Sequence, residues 1–454
     1  MRALSIALSL LVLLAEPSHA ASLQRQRDAE APLTRRESVV RLGQYRSAQH
    51  WSVKGIVLSG LGASWHPEAA AAIADALSDR DERLHALGLE ALRKMDDEAL
   101  RMVATGALVE VLVKESLQEK NKLFAARVQE VLARIFPDAT ADSRSEWQGF
   151  WHKLQPTYAP PAWRGPADPT GEGRSAAATA ADRALDLSTA GLEICFAIDA
   201  TGSMQPLLDT VVTSAQEMSD VLAGFASDLR LATVIYRDLG DMPGGSDVVE
   251  PLTKNLAVAY KALGKVVAGG GGDIPEAIDA GLEHALSLKD VGWTPAANKL
   301  IIVMGDAPAH DDGLTRALDL ARQASTDLGV RAGSVDQRRK LERTGRKVAP
   351  RSGEKLEGRP FVVSCIAAMH ARGGGGGGGP QQDRNQVASH MRQIAEAGKG
   401  TYGELEVGVG EDAQASGARQ LVQMVVRMSF GSKYDREVQR FLDVYFEYRE
   451  AKLY

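Results

Sequence analysis

Asp199, Thr201 and Ser203 stand at alternate positions directly after the apolar run 192–198. Alternation lets one carboxylate and two hydroxyls converge on a point, and hard divalent cations take oxygen ligands of this kind. A second apolar run, 299–304, closes on Gly305-Asp306-Ala307-Pro308. Between the two lies Gly269-Gly270-Gly271-Gly272-Asp273-Ile274-Pro275-Glu276, a glycine loop opening a helix. Three separate loops thus each offer a carboxylate or a hydroxyl where a cation would sit. The same side chains can instead cap helices or satisfy loop amides, and it is the convergence of three loops that favours metal. Mg²⁺ prefers octahedral oxygen and keeps waters, so it is the first expectation, with Ca²⁺ or Mn²⁺ as alternatives.

These residues need strands to carry them. An apolar run that ends in polar groups reads as a buried strand feeding a loop, and open α/β sheets bind ligands outside the C-terminal ends of their strands. Strands are expected at 192–198, 230–236, 247–252, 299–304, 361–367 and 400–405. Helical patterns alternate with them, which predicts a mostly parallel sheet with helices on both faces. The second run continues into Arg237-Asp238-Leu239-Gly240-Asp241. Asp238 and Asp241 read equally well as groups close to the metal or as a solvated acidic turn.

The three-loop set resembles the von Willebrand factor type A domain and its metal-ion-dependent adhesion site, over residues 191–428. The family's Asp-x-Ser-x-Ser appears as Asp199-x-Thr201-x-Ser203, and its distal Asp maps onto Asp306. Its middle-loop Thr has no match; Asp273 stands at about that position, in a GGGDxPE form that some members show. The resemblance implies a doubly wound, Rossmann-like α/β fold. It also implies a cation held by Asp199, Thr201, Ser203 and Asp306, with Asp273 as a fifth ligand or a group just behind. The partner is then a protein whose acidic side chain completes the shell. A directly ligating Asp273 would hold the ion more tightly and weaken its pull on that partner. The family's sheet places a strand between those carrying Cys195 and Cys365. Neighbouring strands are about 4.8 Å apart, too far over two steps for a disulfide, so two buried thiols are expected.

The chain has 454 residues, enough for two or three domains. A net charge of -6 gives no reason to expect nucleic-acid binding. Residues 1–20 read as a secretory signal: Arg2, an apolar core at 4–14, and Ser18-His19-Ala20 before the cut. The core is shorter than the ~20 residues a membrane span needs, and no later stretch is long enough, so the mature chain is expected to be exported, secreted or periplasmic. There is no GxxxxGK[ST], HExxH or GxSxG. His310-Asp311-Asp312 is the best hydrolase-like cluster, since a metal with Asp and His nearby can activate water. No nucleophile, base and orienting group assemble around it, and the chain is not expected to be an enzyme.

The remainder surrounds this domain. Residues 21–35 read as a flexible lead, and 36–154 as helical throughout. Leu84, Leu87, Ala91, Leu92 and Met95 keep helical spacing, as do Phe124, Val128, Val131, Leu132 and Ile135. Aligning 86–95 with 126–135 pairs Glu90 with Glu130 and Leu92 with Leu132 at an offset of 40. That resembles HEAT repeats, with a plain helical bundle as the alternative. Pro67, Asp79 and Asp96 mark turns or helix starts. Trp147, Phe150 and Trp151 are expected to close this core. Residues 155–190, rich in Pro and then in Ala and Thr, read as a linker. An insertion at 331–359 carries ten Lys or Arg against four acids and is expected to be solvated, at the sheet end away from the metal. The glycine run 373–379 would sit at the metal end. In the last segment, 429–454, Val438, Phe441, Leu442, Tyr445 and Phe446 form one apolar helix face, expected to dock on the chain itself rather than on a partner.

Overall fold

A computed structural model describes residues 34–61, 66–117, 121–164, 179–226, 228–242, 244–271, 275–326, 358–370, 381–408 and 410–451. The chain divides into two compact units. One comprises Met1–Gln49, Val57–Ala177 and Val444–Tyr454; the other comprises His50–Ile56 and Ala178–Asp443. The proposed signal, Asp273, residues 331–357 and the glycine run lie outside the described residues.

The first unit is helical among its described residues, and its helices begin where the sequence supplies caps. Thr34 and Glu37 form a capping box at the start of Arg35–Ser47, and Ser143 and Glu146 form another at Arg144–Leu154. Asp96 accepts the Ala99 amide at 2.8 Å, opening Asp97–Val103. Such caps satisfy amides that have no partner inside the helix. Helix Glu82–Lys94 buries Leu84, Leu87, Ala91 and Leu92, and Lys122–Ile135 buries Phe124, Val128, Val131, Leu132 and Ile135. Trp147 and Trp151 are buried, with the Phe136 ring between 5.2 and 6.4 Å from those of Trp147, Phe150 and Trp151. The two glutamates paired by the repeat alignment have different environments. Glu90 is buried and accepts from Arg93 (2.5 Å), Arg127 (3.2 Å) and the Tyr448 hydroxyl (3.0 Å). Glu130 is half exposed.

The second unit holds a six-stranded sheet in the order β3-β2-β1-β4-β5-β6. Its strands are β1 (Leu192–Asp199), β2 (Leu229–Tyr236), β3 (Ser246–Thr253), β4 (Asn298–Gly305), β5 (Phe361–His370) and β6 (Lys399–Val407). Only β3 runs antiparallel to its neighbour. All six stand where the sequence places them. β1 and β4 are buried at every position, as strands covered on both faces must be. Helices Ile278–Ala285, Asp311–Ala324 and Gln381–Ala397 share one core with the sheet, while Gln205–Phe225 and Glu411–Phe430 pack together on the other face. From β1 the chain passes to β2 on one side and later returns to β4 on the other. That reversal opens a crevice at the C-terminal ends of β1 and β4, the place where such sheets bind ligands.

Cys195 and Cys365 are free and buried, with β4 between their strands. The stretch read as a linker is not all linker: its last residues form helix Ala180–Ala190, started by a Thr179–Asp182 capping box and burying Ala180, Ala181, Ala184 and Leu187. Helix Glu411–Phe430 also outruns residue 428, so the final helix is Asp435–Glu450. Its five expected apolar residues are all buried by the chain itself. Phe441, for example, meets the rings of Trp51 and Phe225 at 5.8 and 5.4 Å. Among the described residues no helix is long and apolar enough to cross a membrane.

Replacing Glu90 by Ala would leave two guanidiniums and a buried hydroxyl without their shared acceptor. We expect a loss of about 3 kcal/mol from the helical unit, read as a lower urea midpoint, with Glu90→Gln milder because it keeps an acceptor.

Candidate functional site

Asp199 ends β1 with 1% of its surface exposed. Its Oδ1 accepts the Thr201 amide at 2.8 Å and the Thr201 hydroxyl at 2.7 Å, a local turn that an Asp two residues before a Thr makes readily. Its Oδ2 is buried and has no hydrogen-bond partner. Ser203 follows, exposed, in the short turn Gly202–Met204. The glycine loop is laced to this turn: the Gly269 amide donates to Ala200 O (3.0 Å) and the Gly202 amide to Gly270 O (3.3 Å). Gly270 and Gly271 have φ of +84° and +90°, a left-handed region that side chains resist. The Gly271 amide donates to Asp241 Oδ2 at 2.5 Å.

The loop then brings in Glu276. Its amide donates to Pro308 O at 2.9 Å, fastening it to the loop after β4. Its side chain is 3% exposed, and Oε2 is buried without a partner. A β-carbon added at Gly271 would lie 3.4 Å from Thr201 Cβ and 3.8 Å from Glu276 Oε1, so the three positions meet. Asp306 follows Gly305, the last residue of β4, and its Oδ2 pairs with His370 Nε2 at 2.7 Å. A β-carbon at Gly305 would stand 3.3 Å from that of Asp199 and 2.6 Å from the Tyr236 hydroxyl. Glycine at 305 is what allows Asp199, Tyr236 and the Asp306 loop to close up.

Unmet charge marks this crevice. Burial, then the nearby Asp306, pushes the Asp199 carboxyl up to about 7. Burial, then Asp199, Asp238, Asp241 and Asp306, pushes Glu276 up to about 9. Two unpartnered carboxylate oxygens among further carboxylates fit a hard divalent cation, which would satisfy both and offset their repulsion. The donor set relies on hydroxyls as well as acids: among the described residues no group of three or more His, Cys, Asp or Glu stands ready to hold a metal.

Of the residues singled out from sequence, Asp199 and Thr201 are hydrogen-bonded together and Asp306 is within electrostatic reach of Asp199. Asp238 and Asp241 belong to the surroundings of the site, since both act on Glu276. Asp238 Oδ1 also pairs with His310 Nε2 at 2.9 Å, which is where His310 is engaged. Glu276 and His370 were not foreseen. Glu276 closes the GGGDxPE stretch and reads as a helix-start acid. His370 is a polar group at the end of an apolar strand, the same signal that marks Asp199 and Asp306, but β5 runs three residues past its expected end.

No family model matches the chain. The alpha-protein kinase vwkA of Dictyostelium discoideum is 25% identical over 121 residues, 26% of this chain and 19% of that protein. The match thus spans about a fifth of that relative's length. Among solved structures, the conserved hypothetical protein BatB from Bacteroides thetaiotaomicron aligns with 52% of this chain and 100% of its own, at 16% identity and a TM-score of 0.32. At that score the description of the fold stands on the strand order itself.

Asp199 and Glu276 bind their protons more tightly folded than unfolded. Stability from this source is therefore full below about pH 4 and drains away as pH rises through about 7 and about 9. In chelator the melting temperature should fall across that range, and Asp199→Asn should flatten the fall. A profile that rises with pH and is unchanged in Asp199→Asn would contradict this electrostatic picture.

Proposed function

We propose that the α/β unit is a von Willebrand factor type A-like module that binds a protein partner through a divalent cation, Mg²⁺ foremost. The ligands are Asp199, Thr201, Ser203 and Asp306, joined by Glu276; Asp273 serves as a further ligand or stands just behind. Ca²⁺ and Mn²⁺ are the alternatives for the same oxygen set. The observation that carries this reading is the pair of buried, unpartnered oxygens, Asp199 Oδ2 and Glu276 Oε2, in one crevice. When bound, the cation supplies a positive centre for an acidic side chain of the partner. Everything else is done by the chain: Thr201 orients Asp199, and the glycine loop brings backbone close without filling the crevice. On this reading residues 1–20 export the protein, and the helical unit adds a second surface suited to a scaffold or adaptor.

Two features favour a binding role over catalysis. Val267 and Leu239 are the most exposed large apolar side chains among those described, at 72% and 64%. Both lie on loops of this site, tied together by Arg237 donating to Val267 O at 2.7 Å and by Asp241 accepting from Gly271. Exposed apolar groups beside a polar centre suit a protein interface. By contrast, the Ser-His-Asp set Ser246, His284 and Asp290 lies in the core, with His284 Nε2 3.8 Å from Asp290 Oδ2. Ser246 is buried and donates to Ala280 O at 2.9 Å, and His284 is fully buried.

Thermal unfolding of the chelator-stripped chain tests the cation. At a hundredfold excess over Kd, binding adds about 2.7 kcal/mol, roughly 5–10 °C for a unit of this size. Asp199→Ala and Asp306→Ala should each abolish the shift. No shift with Mg²⁺, Mn²⁺ or Ca²⁺ at millimolar concentration would sink the metal-dependent reading.

A further inference from the structure

We propose that His370 is a positioning residue for the cation site, holding the Asp306 carboxylate so that one oxygen remains for the ion, and that Arg384 ties this arrangement to helix Gln381–Ala397. The inference rests on the cation reading above and goes beyond its ligand set.

The contacts form an unbroken line. His370, the last residue of β5, places Nε2 2.7 Å from Asp306 Oδ2. β5 is the direct neighbour of β4, paired through Gly305 and Ala367, so two adjacent strand ends present the two groups to one another. His370 is itself pinned from behind, since Arg384 Nη2 donates to its carbonyl oxygen at 2.7 Å. The same helix reaches the site a second time from below: a β-carbon at Gly305 would lie 3.3 Å from Met391 Cε. One helix therefore touches both the residue before Asp306 and the residue that grips its carboxylate.

The physical effect follows from carboxylate geometry. An Asp at a strand end has a free χ2 rotation, and its two oxygens compete for any ligand. With Oδ2 taken by an imidazole N–H, rotation is arrested and Oδ1 is left for the cation. Hydrogen-bond partners of this kind orient a metal's ligands, and losing one typically lowers affinity by about 10–100-fold. His370 acts through Asp306; it is not placed on the ion.

The experiment is calorimetric titration of Mg²⁺ into the chelator-stripped full chain, with melting temperature in chelator as the fold control. His370→Ala should raise Kd by about 10–100-fold and leave the chelator melting temperature near wild type. His370→Gln, which restores an N–H donor at similar reach, should recover most of the loss, an outcome a purely structural role would not produce. Arg384→Ala should weaken binding by a smaller factor. The proposal is overturned if His370→Ala binds Mg²⁺ like wild type, or if His370→Gln is no better than His370→Ala. The Arg384 tie is overturned if its removal has no effect. Should His370→Ala fail to fold, His370→Leu takes its place as the variant without a donor, and the same two comparisons decide. Absence of Mg²⁺ binding by the wild type would instead bring down the cation reading itself, a result distinct from all of these.

Discussion

Two carboxylates buried side by side with an unbonded oxygen each are the constraint around which the α/β unit is arranged. A carboxylate deprived of water and of partners is costly, and Asp199 with Glu276 doubles the problem by mutual repulsion. The surrounding structure leaves them little room to separate. Glu276 is fastened to Pro308, the glycine loop to Ala200 and Gly202, and Asp199 to Thr201. Below them the buried Tyr236 hydroxyl reaches from β2 to Met304 O at 3.0 Å, bracing the two strands that flank β1. A fold that invests this many bonds in holding like charges together is arranged for something that offsets them.

How many carboxylates meet the ion sets what the site can do. On the proposed cation reading, Asp199, Asp306 and Glu276 all ionised on a divalent ion would leave the local charge negative, holding the ion firmly and reducing its pull on an acidic partner. Selectivity then passes to the rim. There Leu239 and Val267 would offer contact that does not depend on the charge count, and the loops bearing them are bonded to each other through Arg237. In the proposed arrangement the metal would fix where a partner docks, and the apolar rim how well.

What could be read in the sequence divides along physical lines. The central strands were legible because strands buried on both faces must be continuous apolar runs, and β1 and β4 are buried at every position, whereas β3 and β6 at the sheet edges are mostly half-buried or exposed and carry a weaker signal. Asp199 and Thr201 were legible because their bond is local, spanning two residues. Asp306 was legible as the acid ending a strand. Glu276 and His370 depend on contacts far apart in the chain: Glu276 with the Pro308 loop, and His370 with Asp306, 64 residues away. No local pattern separates a ligand glutamate from one that starts a helix. Helix Ala180–Ala190 was hidden for another reason, since Ala and Thr are weak signals until the Thr179 cap and the four buried side chains are seen together.

Residue types alone would have pointed elsewhere in this molecule. Ser246, His284 and Asp290 have the composition of a hydrolytic triad, and His310 with Asp238 has that of an acid–base pair. What separates them from the strand-end cluster is demand. The Ser246 proton is committed to Ala280 O inside the core, and the Asp238 carboxylate already has its histidine. At the crevice the balance runs the other way: Asp199 Oδ2 and Glu276 Oε2 are as buried as any core atom and still lack a donor. Buried polar atoms elsewhere in proteins are nearly always bonded. Two buried carboxylates, each with an unbonded oxygen and with Asp199 raising the proton affinity of Glu276, at the place where the sheet topology opens a crevice, therefore favour a site that a ligand completes over one that the fold completes for itself.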